Sequence, residues 1–411
     1  MRILYLHQYF VTPDGSGGTR SYEMARRLAQ SGHKVDLVTS SAMLSSLYDF
    51  KNGWNELIIE GVNVHVYHQS YSNKDPFFKR IVKFIRFAFT CTKKTLTMKV
   101  DVVFATSTPL TIAIPALVYK KLKKVPMVFE VRDLWPELPV AVGAIKNPLL
   151  IKLARWLEVY TYKKSDYVIG LSPGMCQGVI DTGKSPGRVV CVPNSCDTDL
   201  FRRVEKGDLS CLDKSLSFIG SRKLIVYTGT FGIINKVGYI VELAKAMLTI
   251  ESGICFLAVG DGMEKADVVA TAKSEGVLDK NLYFLDPVPK NDIVTILARA
   301  DLALSLFGPI KEMWHNSANK IFDALASGTP PAINYGGWQQ DFIENSKCGL
   351  VLSANDFEQA AFDISAFLND SLANETAVAA CKRLANEDFS RDRLAKTLED
   401  VLVDAVEGVS Q

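Results

Sequence analysis

Residues 301–334 read DLALSLFGPIKEMWHNSANKIFDALASGTPPAIN. The apolar run at 301–306 predicts a strand. Residues 318–327 carry a helical pattern, with Ser317 placed to cap its start and Gly328 placed to end it. A second short apolar run at 331–334 predicts another strand. A strand–helix–strand unit of this length implies parallel pairing with the helix packed on the sheet.

Outward from this unit the same alternation continues. Strands are predicted at 224–229, 254–259 and 281–285, with helices near 237–250, 263–275, 289–299 and 338–346. The first half repeats it, with strands at 2–7, 34–39, 62–67, 101–105, 126–131, 167–171 and 188–192. Helical patterns fall at 19–30, 109–121, 148–164 and 174–181. Two doubly wound α/β units in series follow, each expected to bind ligands at the carboxyl ends of its strands. A polar stretch at 202–222 separates them, giving an expected division into 1–205 and 206–389, with a last helix in 390–411 returning to the first unit.

The chain has 411 residues, 48% of them hydrophobic and 22% charged, which excludes wholesale disorder. Its net charge of +2 conceals a split. Residues 1–206 hold 29 Lys/Arg against 17 Asp/Glu, and residues 207–411 hold 18 against 28. The eight cysteines form no CxxC pair and five lie among apolar neighbours, so they read as free thiols; no clustered Cys/His spacing supports a metal site. With no leader and no apolar run near the length of a spanning helix, a cytoplasmic protein is expected, and nothing calls for nucleic acid.

Several strand ends carry chemistry. Asp14-Gly-Ser-Gly-Gly-Thr-Arg20 follows the first strand, and Tyr227-Thr-Gly-Thr-Phe-Gly232 follows the first strand of the second unit. Such loops let backbone amides approach an anion, although each is also consistent with a plain turn. Lys236 could reach a phosphate or be solvated. Val259-Gly-Asp-Gly-Met263 is a tight turn, and Leu285-Asp-Pro-Val-Pro-Lys290 an extended path. Lys320 and Asp323 share one helical face; they suit a diphosphate and paired ribose hydroxyls, or else an ion pair with each other.

In combination these pieces resemble the WbuB-type retaining glycosyltransferases of family 4. The resemblance rests on His7 with Gly17-Gly18-Thr-Arg20, Glu130-Val-Arg-Asp-Leu-Trp-Pro-Glu137, Val192-Pro-Asn-Ser-Cys-Asp-Thr-Asp-Leu-Phe201, Thr228-Gly-Thr-Phe-Gly232, Gly260-Asp-Gly262, Asn319-Lys-Ile-Phe-Asp-Ala-Leu-Ala-Ser-Gly328 and Gly336-Gly-Trp-Gln339. It implies a GT-B fold, two Rossmann-like doubly wound domains facing a central cleft. It also implies a UDP-sugar donor held mainly by the second domain, with the acceptor on the first and no metal or other cofactor. Lys320 would meet the diphosphate, Asp323 the ribose, the backbone at Val288 the base, and Gly17, Gly18, Gly229, Gly260 and Asn319 would surround the donor. Eight residues before Asp323 stands His315 where the family's motif has glutamate, so His315 or Asn316 would meet the sugar. Arg132, Asp133 and Glu137 are the expected catalytic group: Arg132 on phosphate, Asp133 or Glu137 on the acceptor hydroxyl, with an Arg132–Asp133 ion pair as the plainer alternative.

Residues 79–124 hold eleven basic residues and one acid. Within them Lys79, Arg80, Lys83 and Arg86 share a helical face, with Phe78, Ile81, Phe84, Ile85 and Phe89 on the rest, a pattern suited to a helix lying on anionic lipid or packed on a core. The expected activity is transfer of a sugar such as L-FucNAc from UDP to a polyprenyl-diphosphate-linked saccharide in O-antigen or capsule assembly, peripheral on the inner face of the cytoplasmic membrane. A UDP-sugar 2-epimerase and a non-catalytic nucleotide-sugar-binding scaffold are the alternatives.

Overall fold

The structure, a computed structural model, describes residues 1–15, 17–70, 77–143, 145–201, 216 and 219–408. Its contacts divide the chain into two compact units. The first comprises Met1–Pro193, His315–Ser317 and Asp392–Gln411; the second comprises Asn194–Trp314 and Ala318–Arg391. The chain thus leaves the first unit at Pro193, earlier than the 205/206 break expected from composition, and most of the polar 202–222 stretch lies outside the described residues.

The first unit is an eight-stranded sheet of β1 (Arg2–Leu6), β2 (Lys34–Ser40), β3 (Trp54–Ile59), β4 (Val62–Tyr67), β5 (Val102–Thr106), β6 (Met127–Val131), β7 (Tyr167–Gly170) and β8 (Val189–Cys191). Their order is β3-β4-β2-β1-β5-β6-β7-β8, and only the β3–β4 pair is antiparallel. Central strands such as VVFAT of β5 are buried along their whole length, as expected where helices cover both faces. Edge strand β3 escaped the sequence reading because its apolar residues, Trp54, Leu57, Ile58 and Ile59, do not alternate with polar ones and none is fully buried. It joins β4 through Glu60 and Gly61, with φ of 49° and 80°, the two-residue turn that suits a twisted hairpin. The helices are α1 (Arg20–Gln30), α2 (Phe77–Thr95), α3 (Ala113–Lys123), α4 (Glu137–Ala141), α5 (Pro148–Lys164) and α6 (Pro173–Asp181).

In the second unit, after the short α7 (Thr198–Phe201), six parallel strands run β11-β10-β9-β12-β13-β14. They are β9 (Lys223–Thr228), β10 (Ile254–Val259), β11 (Leu282–Leu285), β12 (Leu302–Ser305), β13 (Pro331–Ile333) and β14 (Leu350–Val351). Helices α8 (Tyr239–Ile250), α9 (Lys265–Ser274), α10 (Lys290–Arg299), α11 (Asn319–Ser327) and α12 (Trp338–Ser346) connect them, and α13 (Phe357–Asn369) and α14 (Ser371–Asn386) follow. Neither α13 nor α14 was legible in the sequence, though Asp356 and Asp370 cap them through their carboxylates. The last helix, α15 (Arg391–Glu407), buries Leu394, Leu398, Val401, Leu402 and Ala405 in the core of the first unit, with β1, β2 and β5.

This is the GT-B architecture, two parallel-sheet α/β units in one chain. In each sheet the chain reverses its direction of winding beside the first strand of that unit, between β1 and β5 and between β9 and β12. The strand ends at that reversal form the natural ligand crevice.

Candidate functional site

Helix α11 starts just past β12, at the reversal point of the second unit. The residue preceding its first turn is Ala318, with extended backbone and no side-chain cap, so Ser317 is not the cap expected from sequence. Gly328 ends the helix in the left-handed conformation as expected. Ile321 N–H donates back to the Ala318 carbonyl at 3.1 Å, and the preceding amides of the first turn, those of Asn319 and Lys320, have no capping side chain.

Lys320, in the first turn, packs against the loop that leaves β9. Its Nζ lies 5.0 Å from the centre of the Tyr227 ring. Gly229 has a φ of 147°, which favours glycine, and a Cβ there would stand 2.5 Å from Lys320 Cε and push the lysine aside. Gly260 is more constrained, since a Cβ there would stand 1.9 Å from the Gly229 carbonyl oxygen. The two glycines bring the loops after β9 and β10 into contact and leave room for the lysine. Desolvation by the surrounding protein pulls the Lys320 pKa down to about 8, with Asp323 acting in the opposite sense. Lys320 keeps a partly exposed surface and makes no hydrogen bond or ion pair among the described residues.

The alternative Lys320–Asp323 ion pair does not form. Asp323 instead accepts a bond from Lys290 Nζ at 2.5 Å. Lys290 stands at the end of the quoted 285–290 segment and begins α10, but sequence reasoning gave it no role. Val288, beside it, is half-buried against the core formed with α10. Asn319 is exposed at the first position of α11. Lys265 braces the Gly260-Asp-Gly262 turn by donating to the carbonyls of Gly260 and Leu285 and to Asp286.

Lys236 does not join this group. It lines a separate cavity of about 850 Å³, walled also by Tyr239, Phe307, Trp314 and Tyr335 and including none of Gly229, Lys320 or Asp323. His315 and Asn316 group with the first unit, not with the donor residues that sequence placed them among. There the His315 carbonyl accepts a bond from Ser172 Oγ at 2.5 Å.

The first unit gathers its own polar cluster where β1, β5 and β6 end. Glu130 is fully buried and accepts from Arg20 Nε and Nη2 at 2.9 and 2.7 Å and from Thr106 Oγ1 at 2.7 Å. Burial opposes its ionisation, but the Arg20 and Arg132 guanidiniums outweigh that and hold its pKa at about 2. Arg20 also donates to the carbonyls of Val192 and Pro193, tying α1 to the exit of the sheet. Arg132 donates to Thr106 Oγ1 at 2.8 Å and Ser21 Oγ at 2.6 Å, and its Nε lies 3.3 Å from Glu130. The Arg132–Asp133 pair considered from sequence is therefore absent; Arg132 pairs with Glu130. Asp133 accepts a bond from Thr108 Oγ1 at 3.2 Å, and burial pushes its pKa up to about 6. His7 is buried at the end of β1 with Nδ1 unpartnered, held neutral first by burial and then by Arg132.

Glu137 lies apart from this cluster in its electrostatic neighbourhood. It begins α4, and its charge acts on Glu158 of α5, whose pKa burial and Glu137 together raise to about 8. Gly17 and Gly18 are exposed between β1 and α1, Gly17 with a φ of 142°; Ser16 lies outside the described residues. The sequence reading gave Glu130 no role, although an acid inside the apolar run of β6 is a signal, since it must find cations when buried.

The chain, GT-B in fold, thus sets Lys320 and the start of α11 at the reversal of one parallel sheet and the Glu130–Arg20–Arg132 network at that of the other. Its first half, residues 17–200, matches the domain described as Glycosyltransferase Family 4, and residues 222–370 match Glycosyl transferases group 1. Among curated proteins, the chain is 25% identical over 157 residues to the Escherichia coli (strain K12) protein named "Putative colanic acid biosynthesis glycosyl transferase WcaI". That match spans 38% of this chain and 37% of WcaI. Solved structures extend the likeness of fold to nearly the whole chain. Anabaena HepE in complex with UDP has a TM-score of 0.71 at 16% identity, covering 98% of this chain and 100% of that one. Sucrose-phosphate synthase of Thermosynechococcus elongatus has a TM-score of 0.74 at 15% identity, covering 99% of each chain.

Proposed function

We propose that the protein transfers a sugar from a UDP-sugar to a lipid-linked saccharide, with retention of anomeric configuration. The observation that carries the donor half is Lys320: a lysine without hydrogen bond or ion pair among the described residues, beside Gly229, in the first turn of a helix with no capping side chain. A diphosphate supplies the missing counter-charge and accepts the free amides. That HepE was solved with UDP and with UDP-glucose supports the choice of nucleotide. Asp323, held by Lys290, is placed one turn on to receive the ribose hydroxyls.

The chemistry we assign is positioning and charge stabilisation. Lys320 and the α11 amides stabilise the leaving diphosphate as its charge develops, and the diphosphate draws the proton from the attacking hydroxyl. Asp133 orients that hydroxyl on the acceptor, and Arg132 offers a contact to acceptor phosphate. The acceptor is a polyprenyl-diphosphate-linked saccharide of surface-polysaccharide assembly, a reading supported by the WcaI likeness and by helix α2. Phe78, Val82, Ile85 and Phe89 of α2 are 75%, 48%, 56% and 60% exposed. Their spacing puts all four on one stripe, while Phe87 and Cys91 enter the core and Ala88 is buried beside them. This differs from the expected face in detail, since Ile81 and Phe84 are half-buried, and so are Arg80 and Lys83, while Lys79 and Arg86 are exposed. A helix that is basic yet leaves its apolar stripe uncovered suits an anionic bilayer surface. No described helix is long and apolar enough to cross a membrane.

A donor screen led by UDP-L-FucNAc against polyprenyl-diphosphate-GlcNAc, with mass spectrometry for the product and NMR for its anomeric configuration, tests this reading. Donor hydrolysis without transfer to any lipid-linked acceptor would overturn the acceptor, and no turnover of any UDP-sugar would overturn the reaction.

A further inference from the structure

Helix α5 repeats the pattern of α2. Leu149, Leu153, Trp156 and Tyr160 are 64%, 52%, 61% and 38% exposed. They fall at the i, i+4, i+7, i+11 spacing that Phe78, Val82, Ile85 and Phe89 show on α2. On both helices this stripe lies opposite the side chains that enter the core, which for α5 are Glu158, Thr161 and Tyr162. Helix α3 packs against both α2 and α5, and its own Leu122 is 61% exposed. Three neighbouring helices thus leave large apolar side chains in water, well beyond the scattered exposure of an ordinary surface.

Charge says what covers them. Helix α2 carries six cations, α3 three and α5 four, while the only acid on the three helices is Glu158, which is buried. The cations sit where chains reaching from an interface would place them. Lys164 Nζ lies 5.8 Å from the centre of the Tyr160 ring, Tyr160 stacks on Trp156 at 5.4 Å, and Lys93 Nζ lies 4.4 Å from the Phe89 ring centre. Lys94 is paired with Glu56 and Lys120 with Asp166, both acids from outside the three helices. Apolar stripes bordered by amphipathic aromatics and an excess of cations match the acyl–headgroup boundary of an anionic bilayer. A protein partner or a second copy of this chain would have to bring acids to a face on which cations outnumber them, and the three helices themselves supply only the buried Glu158.

We propose that α5 is a second membrane-contact element, inserting Leu149, Leu153, Trp156 and Tyr160 into an anionic bilayer beside α2. The inference rests on the membrane-surface reading given above for α2 and extends it. Two helices joined through α3 fix the orientation of the first unit on the surface, which one helix, free to roll about its axis, does not.

The experiment is flotation of the full-length protein with phosphatidylcholine vesicles containing phosphatidylglycerol. Three proteins are compared: wild type, an α5 variant (Leu153→Ser, Trp156→Ser) and an α2 variant (Val82→Ser, Ile85→Ser). Far-UV circular dichroism and urea unfolding report that each variant is folded. The expected result is vesicle binding by wild type that falls at least about tenfold in each variant. On addition of vesicles, the Trp156 emission, isolated as the difference between wild type and Trp156→Phe, shifts to the blue. If wild type binds and only the α2 variant loses binding, with no shift at Trp156, the α5 proposal is overturned and the α2 reading survives. If wild type does not bind, both fall. If the α5 variant binds vesicles normally but shifts from dimer to monomer in sedimentation, α5 faces a second copy and the proposal is overturned.

Discussion

Asp323 is bonded to Lys290, thirty-three positions earlier in the chain, and not to Lys320, its neighbour on the same face of α11. One helix turn thus carries a carboxylate that is already paired and an ammonium that is not. The pairing fixes the aim of the carboxylate from a second helix and leaves the Lys320 charge available to an anion.

Lys320→Ala is expected to lower kcat by about a hundredfold to a thousandfold, the usual cost of losing a charge stabiliser at a developing anion. The pH dependence follows from the pKa of about 8 in the free protein. A bound diphosphate raises it, so donor affinity is at full strength below pH 8 and declines as the pH rises above it. Calorimetric UDP titrations from pH 7 to pH 9.5, in wild type and Lys320→Arg, check this, because the arginine variant stays flat across that range.

Lys290→Ala removes the partner that aims Asp323. The expected outcome is a higher KM for the donor with kcat little changed, since the ribose contact is the same in the ground and transition states. Steady-state kinetics with a UDP-sugar and with its 2′-deoxyuridine analogue check it: the two donors should differ in wild type and converge in the variant.

Asp133 has its pKa raised to about 6 by burial. If it orients the acceptor hydroxyl as a carboxylate, turnover rises as the pH passes upward through 6. Asp133→Asn should remove that limb and lower kcat by about a hundredfold or more. A pH–rate profile at saturating donor reads both.

Glu130 is a matter of stability. Its side chain is 0% exposed and that of Arg20 4%, so Glu130→Gln leaves two guanidiniums short of their counter-charge. A loss of about 3–5 kcal/mol is expected in urea unfolding. With its pKa held at about 2, the contribution of Glu130 is present above its ordinary value near 4.5 and is lost as the pH falls towards 2. The difference between wild type and Glu130→Gln should therefore shrink in acid.

The sequence by itself determined the alternation of buried strands and helices, because parallel strands covered on both faces must be apolar throughout and declare themselves as short unbroken runs. It also located Gly229, Gly260 and the Lys320–Asp323 turn, since a strand end followed by glycine or by a helix start is a local signal. It did not reveal β3, none of whose residues is fully buried, or α13 and α14. Nor could spacing alone choose partners. Lys320 and Asp323 are close enough on a helix to pair, and Arg132 and Asp133 are adjacent. Only the tertiary structure brought Lys290 to Asp323 and Glu130 between Arg20 and Arg132. The same holds for the apolar stripes. A periodic helix reads alike whether its apolar face is buried or bare, and what packs beneath α2 and α5 decided that the stripes face outward.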